Sequence, residues 1–265
     1  MAKSNKIMYF DNGCRVCRTG AFLASKSGFS EEETLNPVQD MEEAVACDME
    51  KARYCNEMAV YDPSTRETRY GVKGIAWVLE DKFGKIARVL SLQPLYSLIN
   101  FFYHIFSYNR RMIAPVYTKV DNDCQPEFTW TFRLVYIAFA ALISIGVSSY
   151  VPIYTTYVYL LLVGTGWLLH ALLIFVYGVK NKMEYFGHLA TIMLSGILLQ
   201  VPFLLGYYLF DLPIIVVWCA LLLSDILMTW MSYRRVKYLG LSQRITAAWW
   251  LTLHLSAGFI YLLCR

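Results

Sequence analysis

Two cysteines three positions apart, Cys14 and Cys17 in the stretch MYFDNGCRVCRTG (8–20), have the clearest capacity for chemistry in this chain. At the opening of a helix, the second sulfur of such a pair stands about one turn from the first, within disulfide reach. A sulfur at a helix N-terminus meets outward-pointing N–H groups and the positive end of the helix dipole, which favours thiolate over thiol. Arg15 and Arg18 add positive charge beside it and are expected to favour the thiolate further. On this chemistry Cys14 attacks and Cys17 resolves the mixed disulfide. Asp11 caps the helix by accepting from backbone N–H groups, handles protons for the thiols, or does both. Two other readings stay open: a zinc site, and two cysteines that merely fill space. Zinc needs two more ligands, and Cys47, Cys55 and His104 form no second tight pair, so no metal is expected. Cys47 and Cys55 read as packing residues, and Cys219 and Cys264 as small apolar fillers of later helices.

The elements that must position the pair follow from periodicity. KIMYF (6–10) is apolar enough for a short buried strand, ended by Asp11-Asn12-Gly13. From Cys14 the period changes, and Val16, Gly20, Phe22, Leu23 and Ala24 suit a helix that stops near Gly28. TLNPVQ reads as a second strand and EEAVACDMEKARYC as helical. NEMAVYD and ETRYGVK form a hairpin around PSTR, and a helix begins at GIAWVLEDKF. This order predicts an α/β sandwich with one mixed sheet. The segment PLYSLINFFYHIFSYNRR is apolar but interrupted by Asn100, His104, Asn109 and two arginines. It reads as an amphipathic helix that lies at a membrane surface or packs on the sheet, not as a span. PVYTKVDNDCQPEF, with two prolines, reads as a linker. The expected organisation is a redox domain over 1–114, a linker over 115–127 and a helical membrane domain over 128–265.

Composition supports the division. The chain has 265 residues, 57% of them hydrophobic and only 17% charged, below the quarter usual in soluble domains. The acidic residues concentrate before position 125. Five apolar runs follow, at 128–150, 153–178, 186–210, 212–233 and 246–264, each near the ~20 residues that cross a bilayer core. An all-α bundle of about five transmembrane helices is therefore expected. The loops KNKMEY and YRRVKYLGLSQR are basic, whereas SSYVP and FDLP carry no basic residue. The positive-inside bias puts the basic loops, Lys119, Arg133 and the first domain in the cytoplasm, with Arg265 outside. The expected location is an integral, multi-pass position in a membrane of the bacterial inner type. No cleavable signal peptide is visible. A net charge of +4 with no basic stripe argues against nucleic acid as a partner. Within the apolar runs, His170, Asp225 and His254 fall at similar depth, and His188 begins the third run. They make either a shared polar site or separate interhelical hydrogen bonds.

FDNGCRVC carries an aromatic residue, Asp, and then Cys-x-x-Cys after two residues, and so resembles the DCC thiol-disulfide oxidoreductase family. MAVYDPSTRETRYGVKGIAWVL is similar to that family's hairpin, glycine and helix, with Gly71 at the matching glycine. YHIFSYNRR resembles its closing segment at Tyr103, Asn109 and Arg110. The resemblance covers roughly residues 7–114. It implies a thioredoxin-like fold and redox activity of the cysteine pair, and it names no substrate. Asn12 stands where the family usually has glycine, a substitution that positive φ would tolerate. Gly74 stands where alanine is usual, and no proline precedes the NEMAVYD strand, so the thioredoxin cis-proline is missing.

The functional expectation is a membrane-anchored thiol–disulfide oxidoreductase that uses Cys14, Cys17 and Asp11, with Asn12, Arg15 and Arg18 in support. It would need no cofactor. Its partners would be the lipid bilayer and a thiol or disulfide substrate, protein or small molecule. In a reducing cytosol the pair would rest as the dithiol. The alternative is a membrane transporter or channel regulated by the cysteine domain.

Overall fold

A computed structural model describes residues 6–29, 31–116, 124–152, 156–179 and 181–263. Lys119, Ile153, Cys264 and Arg265 lie outside them. The chain divides into two compact units, 1–135 and 136–265.

In the first unit, β1 (Ile7–Phe10) is followed by α1 (Arg15–Lys26), β2 (Leu35–Pro37) and two short helices, α2 (Glu43–Cys47) and α3 (Lys51–Asn56). Then come β3 (Ala59–Asp62), β4 (Glu67–Tyr70), α4 (Gly71–Leu90) and α5 (Leu95–Ile113). The sheet order is β2-β1-β3-β4. β1 runs parallel to β2, with Met8 opposite Leu35, and antiparallel to β3, with Met8 opposite Val60. The mixed sheet expected from the element order is present.

Alternation along the strands gives the sheet two buried faces. Tyr9, Ala59, Tyr61 and Tyr70 pack with Met49 and, from α2 and α3, Val45 and Tyr54. On the other face, Met8 and Val60 pack with Trp77 and Val78 of α4 and with Phe29 beyond α1. The sheet is therefore covered on both sides, which keeps its buried backbone groups in the ladder and its apolar side chains out of water. The α1 helix stops as its sequence predicts. Gly28 takes φ +68° after the Ser27 cap, and the Phe29 N–H bonds the Ala24 carbonyl.

The hairpin is fastened at its turn. Arg66, at φ 56°, puts two nitrogens onto the Asp48 carboxylate at 2.9 and 2.7 Å. That contact, with a hydrogen bond from Tyr61, holds the Asp48 carboxyl below the usual carboxylate range. At the start of α4, Gly71 has φ +58°, and its N–H donates to the Met58 carbonyl at 2.8 Å. One turn later, a Cβ on Gly74 would stand 2.9 Å from the Arg69 carbonyl oxygen and 3.0 Å from Val60. This close approach of helix to hairpin favours glycine at position 74.

The segment expected to be a linker is bound to the first unit at its far end. Cys124 is disulfide-bonded to Cys55, and the Glu127 N–H donates to the Asn56 side chain at 2.8 Å. This corrects the reading of Cys55 as a packing residue. By chain entropy, a crosslink over 69 residues stabilises a fold by about 4 kcal/mol. Cys47 is exposed, so it is not a packing residue either.

The second unit is helical. Its elements are α6 (Trp130–Ser148), which begins in the first unit, then α7 (Thr156–Val176), α8 (Lys182–Leu209), α9 (Ile215–Tyr238) and α10 (Arg244–Leu263). Among the described residues, α6, α8 and α9 are long and apolar enough to cross a membrane, which marks the chain as a membrane protein. The α5 helix is not in that set. It buries Ile105, Asn109, Arg110, Arg111 and Met112 and exposes Leu98, Phe101, Phe102 and Phe106. In the second unit, Leu189, Ile192 and Met193 of α8 pack with Ile174 of α7, Met228 of α9 and Trp249 of α10. Leu172, Phe175, Leu205, Leu222 and Trp230 are exposed, as side chains facing lipid would be. Cys219 is exposed on α9 and does not fill a helix contact.

Replacing Gly74 with alanine tests the close approach at α4. Helix propensity alone would favour alanine by up to ~1 kcal/mol. The backbone oxygen of Arg69 reverses the sign, so G74A should lower the unfolding free energy of the full-length protein, measured by denaturation followed by intrinsic fluorescence, by about 1 kcal/mol.

Candidate functional site

The cysteine pair sits where β1 hands over to α1. The Cys14 N–H donates to the Asp11 carbonyl at 3.1 Å and closes the turn. Cys14 is itself the N-cap of α1, and its sulfur accepts from the Cys17 N–H at 3.2 Å. The two cysteines are disulfide-bonded, with Cα atoms 5.2 Å apart. Cys14 is fully buried, whereas Cys17 is half-buried and lines a cavity. Arg15 and Arg18 are exposed in the first turn of α1, where water screens their charge.

Asp11 does not cap the helix. Its Oδ1 accepts from the Gly13 N–H at 2.9 Å and from the Gln39 amide at 3.0 Å. Its Oδ2 faces one nitrogen each of Arg110 and Arg111, both at 3.3 Å. The carboxylate is buried and therefore needs this pairing. Asn12 does not use positive φ. The left-handed positions fall elsewhere, at Gly28, Arg66 and Gly71 among others, and the Asn12 N–H bonds the Gln39 side chain at 3.1 Å.

Arg110 is the hub behind the turn. Besides Asp11, it donates to the backbone carbonyls of Cys55 at 2.8 Å, Cys124 at 3.1 Å and Asn56 at 3.4 Å. One guanidinium thus ties the cysteine turn to both ends of the second disulfide. Burial lowers its basicity and Asp11 works against that shift. Its neighbours on α5 complete the support. The Tyr103 hydroxyl accepts from the Met58 N–H at 2.8 Å, burial pushes that phenol up, and Ser107 donates to the Asn56 carbonyl. The Asn109 amide donates to the carbonyls of Ile105 at 2.8 Å and Phe132 at 3.0 Å.

Beneath α1 lies a cavity of about 410 Å³. Gly20, Ala21 and Ala24 on the inner face of α1 are small, and so leave this space above Met8, Met58 and Ile75. Phe106 and Tyr103 of α5 form another wall, and Glu57 and Arg110 bring charge to its edge. Neither the cavity nor the Cys55–Cys124 bond is signalled in the sequence, apart from the run of small residues at 20, 21 and 24.

Of the two alternatives open for the intramembrane residues, a shared site or separate interhelical contacts, the second describes their placement. His170 of α7 shares a hydrogen bond of 2.6 Å with Tyr185 of α8. Asp225 of α9 faces His254 of α10 at 3.7 Å, and that imidazole stacks on Trp250. His188 accepts at Nδ1 from Arg235 at 2.8 Å. Among the described residues, no three His, Cys, Asp or Glu side chains gather at metal-binding distance. No family model, curated protein or solved structure matches the chain.

The hub has a measurable consequence. Arg110→Met takes a donor from the Cys55, Cys124 and Asn56 carbonyls and leaves the buried Asp11 carboxylate with one arginine, Arg111, so it should cost about 3 kcal/mol of stability. Thermal unfolding of the full-length protein measures this, and Arg110→Lys, a point donor without the planar fork, should recover only part of the loss.

Proposed function

We propose that this chain is a membrane-anchored thiol–disulfide oxidoreductase whose first unit is a thioredoxin-like domain of the DCC type. The observation that carries this reading is the Cys14–Cys17 pair, bonded at a strand–turn–helix junction where Cys17 lines a cavity. Thiol–disulfide exchange needs an accessible sulfur, a partner within bonding reach and a way to hold the departing thiolate. Cys17 supplies the first, the pair supplies the second, and the Cys17 N–H aimed at the Cys14 sulfur supplies the third.

The thioredoxin-like reading is supported by the parallel β1–α1–β2 unit, the antiparallel β3–β4 hairpin and the strand order β2-β1-β3-β4. The DCC reading is supported by the positions that carry the resemblance. Asp11, Tyr103, Asn109 and Arg110 each make tertiary hydrogen bonds behind the cysteine turn. Asp11 then acts as a positioning residue that fixes the turn, since both its oxygens are already engaged.

The second unit is the anchor, with α6–α10 as five spans and the exposed aromatic face of α5 at the membrane surface. The basic loops support a cytoplasmic position for the first unit. There the Cys14–Cys17 pair rests as the dithiol; Cys55 and Cys124 are both buried residues. The substrate is a thiol or disulfide, in a protein or a small molecule.

A second reading, a transporter or channel regulated by the cysteine domain, is favoured by Asp225, a carboxylate facing His254 within apolar helices. It would displace the first if Asp225→Asn abolished the cellular phenotype while Cys14→Ser left it intact.

Equilibration of the full-length protein in glutathione buffers tests the redox reading. Alkylation and peptide mapping should show Cys14 and Cys17 passing together between dithiol and disulfide, with Cys55–Cys124 still bonded. A Cys14–Cys17 pair that changes state only after unfolding would refute it.

A further inference from the structure

The three histidines of the second unit each meet a side chain of a neighbouring helix, and two of these contacts are closed. His170 is buried and shares its hydrogen bond of 2.6 Å with Tyr185. His188 is buried and accepts from Arg235 at 2.8 Å. The third contact is open. Asp225 and His254 stand 3.7 Å apart, beyond hydrogen-bond length, with side chains 27% and 41% exposed. Both sit near the middle of their helices, and α9 is long and apolar enough to cross a membrane. Around them, Leu222, Leu223 and Ile226 of α9 and Leu251 and Leu255 of α10 are exposed too. An acid and a base are thus set together in an outward, apolar surface, where ionisable groups are costly.

Hydrogen bonding fixes where the protons of this pair lie. The His254 Nδ1 stands 2.8 Å from the Trp250 carbonyl, and a carbonyl only accepts, so Nδ1 carries the hydrogen and donates it. Nε2 is then the nitrogen turned to the carboxylate. Two lone pairs meet there unless one proton stands between them, as a carboxylic acid facing imidazole or a carboxylate facing imidazolium. In either form the pair has no net charge, as an apolar medium favours. The other carboxylate oxygen, Oδ1, is buried and has no hydrogen-bond partner among the described residues. A permanently charged carboxylate is stable in such a place only with donors at its oxygens. The Trp250 ring stacks on the imidazole with centroids 4.0 Å apart and holds its orientation.

The other acidic and basic groups of these helices are engaged elsewhere or stand at helix ends. On α7, His170 bonds Tyr185, and on α8, His188 bonds Arg235. Lys182 and Glu184 open α8, Arg234, Arg235 and Lys237 close α9, and Arg244 opens α10. Asp225 and His254 face each other.

We propose that Asp225 and His254 form a proton-binding site of the second unit, filled and emptied at the outer face of α9 and α10. The step is acid–base only. The carboxylate and the neutral imidazole together take up one proton from water or a donor at the membrane, and release returns it, with no electrons transferred. The closed contacts of His170 and His188 hold helices together, whereas this open one adds an exchangeable proton to the bundle surface. The redox reading rests on none of these residues.

The test uses the full-length protein in vesicles of a neutral phospholipid. The probe is dicyclohexylcarbodiimide, an apolar reagent that adds to a carboxyl group only while it carries a proton, compared with a water-soluble, cationic carbodiimide. At neutral pH, peptide mapping should find the apolar reagent on Asp225, with the water-soluble reagent about tenfold slower there or worse. Raising the pH should slow labelling as the site empties, and a return to neutral pH before the reagent is added should restore it. His254→Leu and His254→Gln, neither of which can share a proton, should each speed labelling at neutral pH several-fold, because Asp225 then keeps the proton alone. The unsubstituted protein carries the main result, so that result does not depend on either variant folding. No adduct on Asp225 at any pH, or a rate that ignores pH, overturns the proton site. Equal labelling by the two reagents overturns exchange at the apolar face. A rate unchanged or lowered in both His254 variants overturns the sharing of the proton.

Discussion

The buried guanidinium of Arg110 is the constraint on which the first unit depends. A charge removed from water is tolerable only when its donors are matched by acceptors. Here the acceptors are the Asp11 carboxylate and the carbonyls of Cys55, Asn56 and Cys124. These come from three places in the chain, the end of β1, the end of α3 and the segment before α6, and all meet a donor carried on α5. Satisfying one side chain therefore fixes the cysteine turn, the crosslinked segment and the last helix together. Asp11 completes the turn from the other side through Gly13 and Gln39, so the loop that presents the sulfurs is held on both flanks. A rigid frame of this kind suits a redox pair, because bond making and breaking then move sulfur atoms and not the backbone.

The second unit solves a different problem with similar means. In an apolar medium, polar side chains must find partners on neighbouring helices. His170 and Tyr185, Asp225 and His254, and His188 and Arg235 each do so across a pair of helices. Ser224 adds a hydrogen bond to the Gly196 carbonyl at 2.8 Å, where the missing side chain lets α8 and α9 come close. Apolar surface is left facing outward, as lipid requires and water would not permit.

Much of this was legible in the sequence because it rests on local rules. The change of period at Cys14 marked the strand–helix junction, Gly28 marked the end of α1, and PSTR marked the hairpin turn. Tyr103, Asn109 and Arg110 stood out through a resemblance to another family's closing segment, though not for what they bond. Four features were not legible. The Cys55–Cys124 bond joins residues 69 positions apart, and no spacing rule pairs them. Cys14 and Cys17 look alike in sequence, and only tertiary cover makes one buried and the other accessible. Asp11 read as a helix cap because aspartate before a helix commonly is one, yet the cap is Cys14 and the carboxylate turns inward to two arginines. Similar depth along separate helices also did not bring His170 to Asp225, because depth says nothing about which faces meet.

The central claim is that Cys14 and Cys17 work as a reversible pair. It is tested most directly by their state in living cells, read by acid quench and alkylation before, during and after a brief pulse of a thiol oxidant. The account predicts a dithiol at rest, a Cys14–Cys17 disulfide during the pulse, and return to the dithiol on recovery. A pair that stays in one state throughout would contradict it.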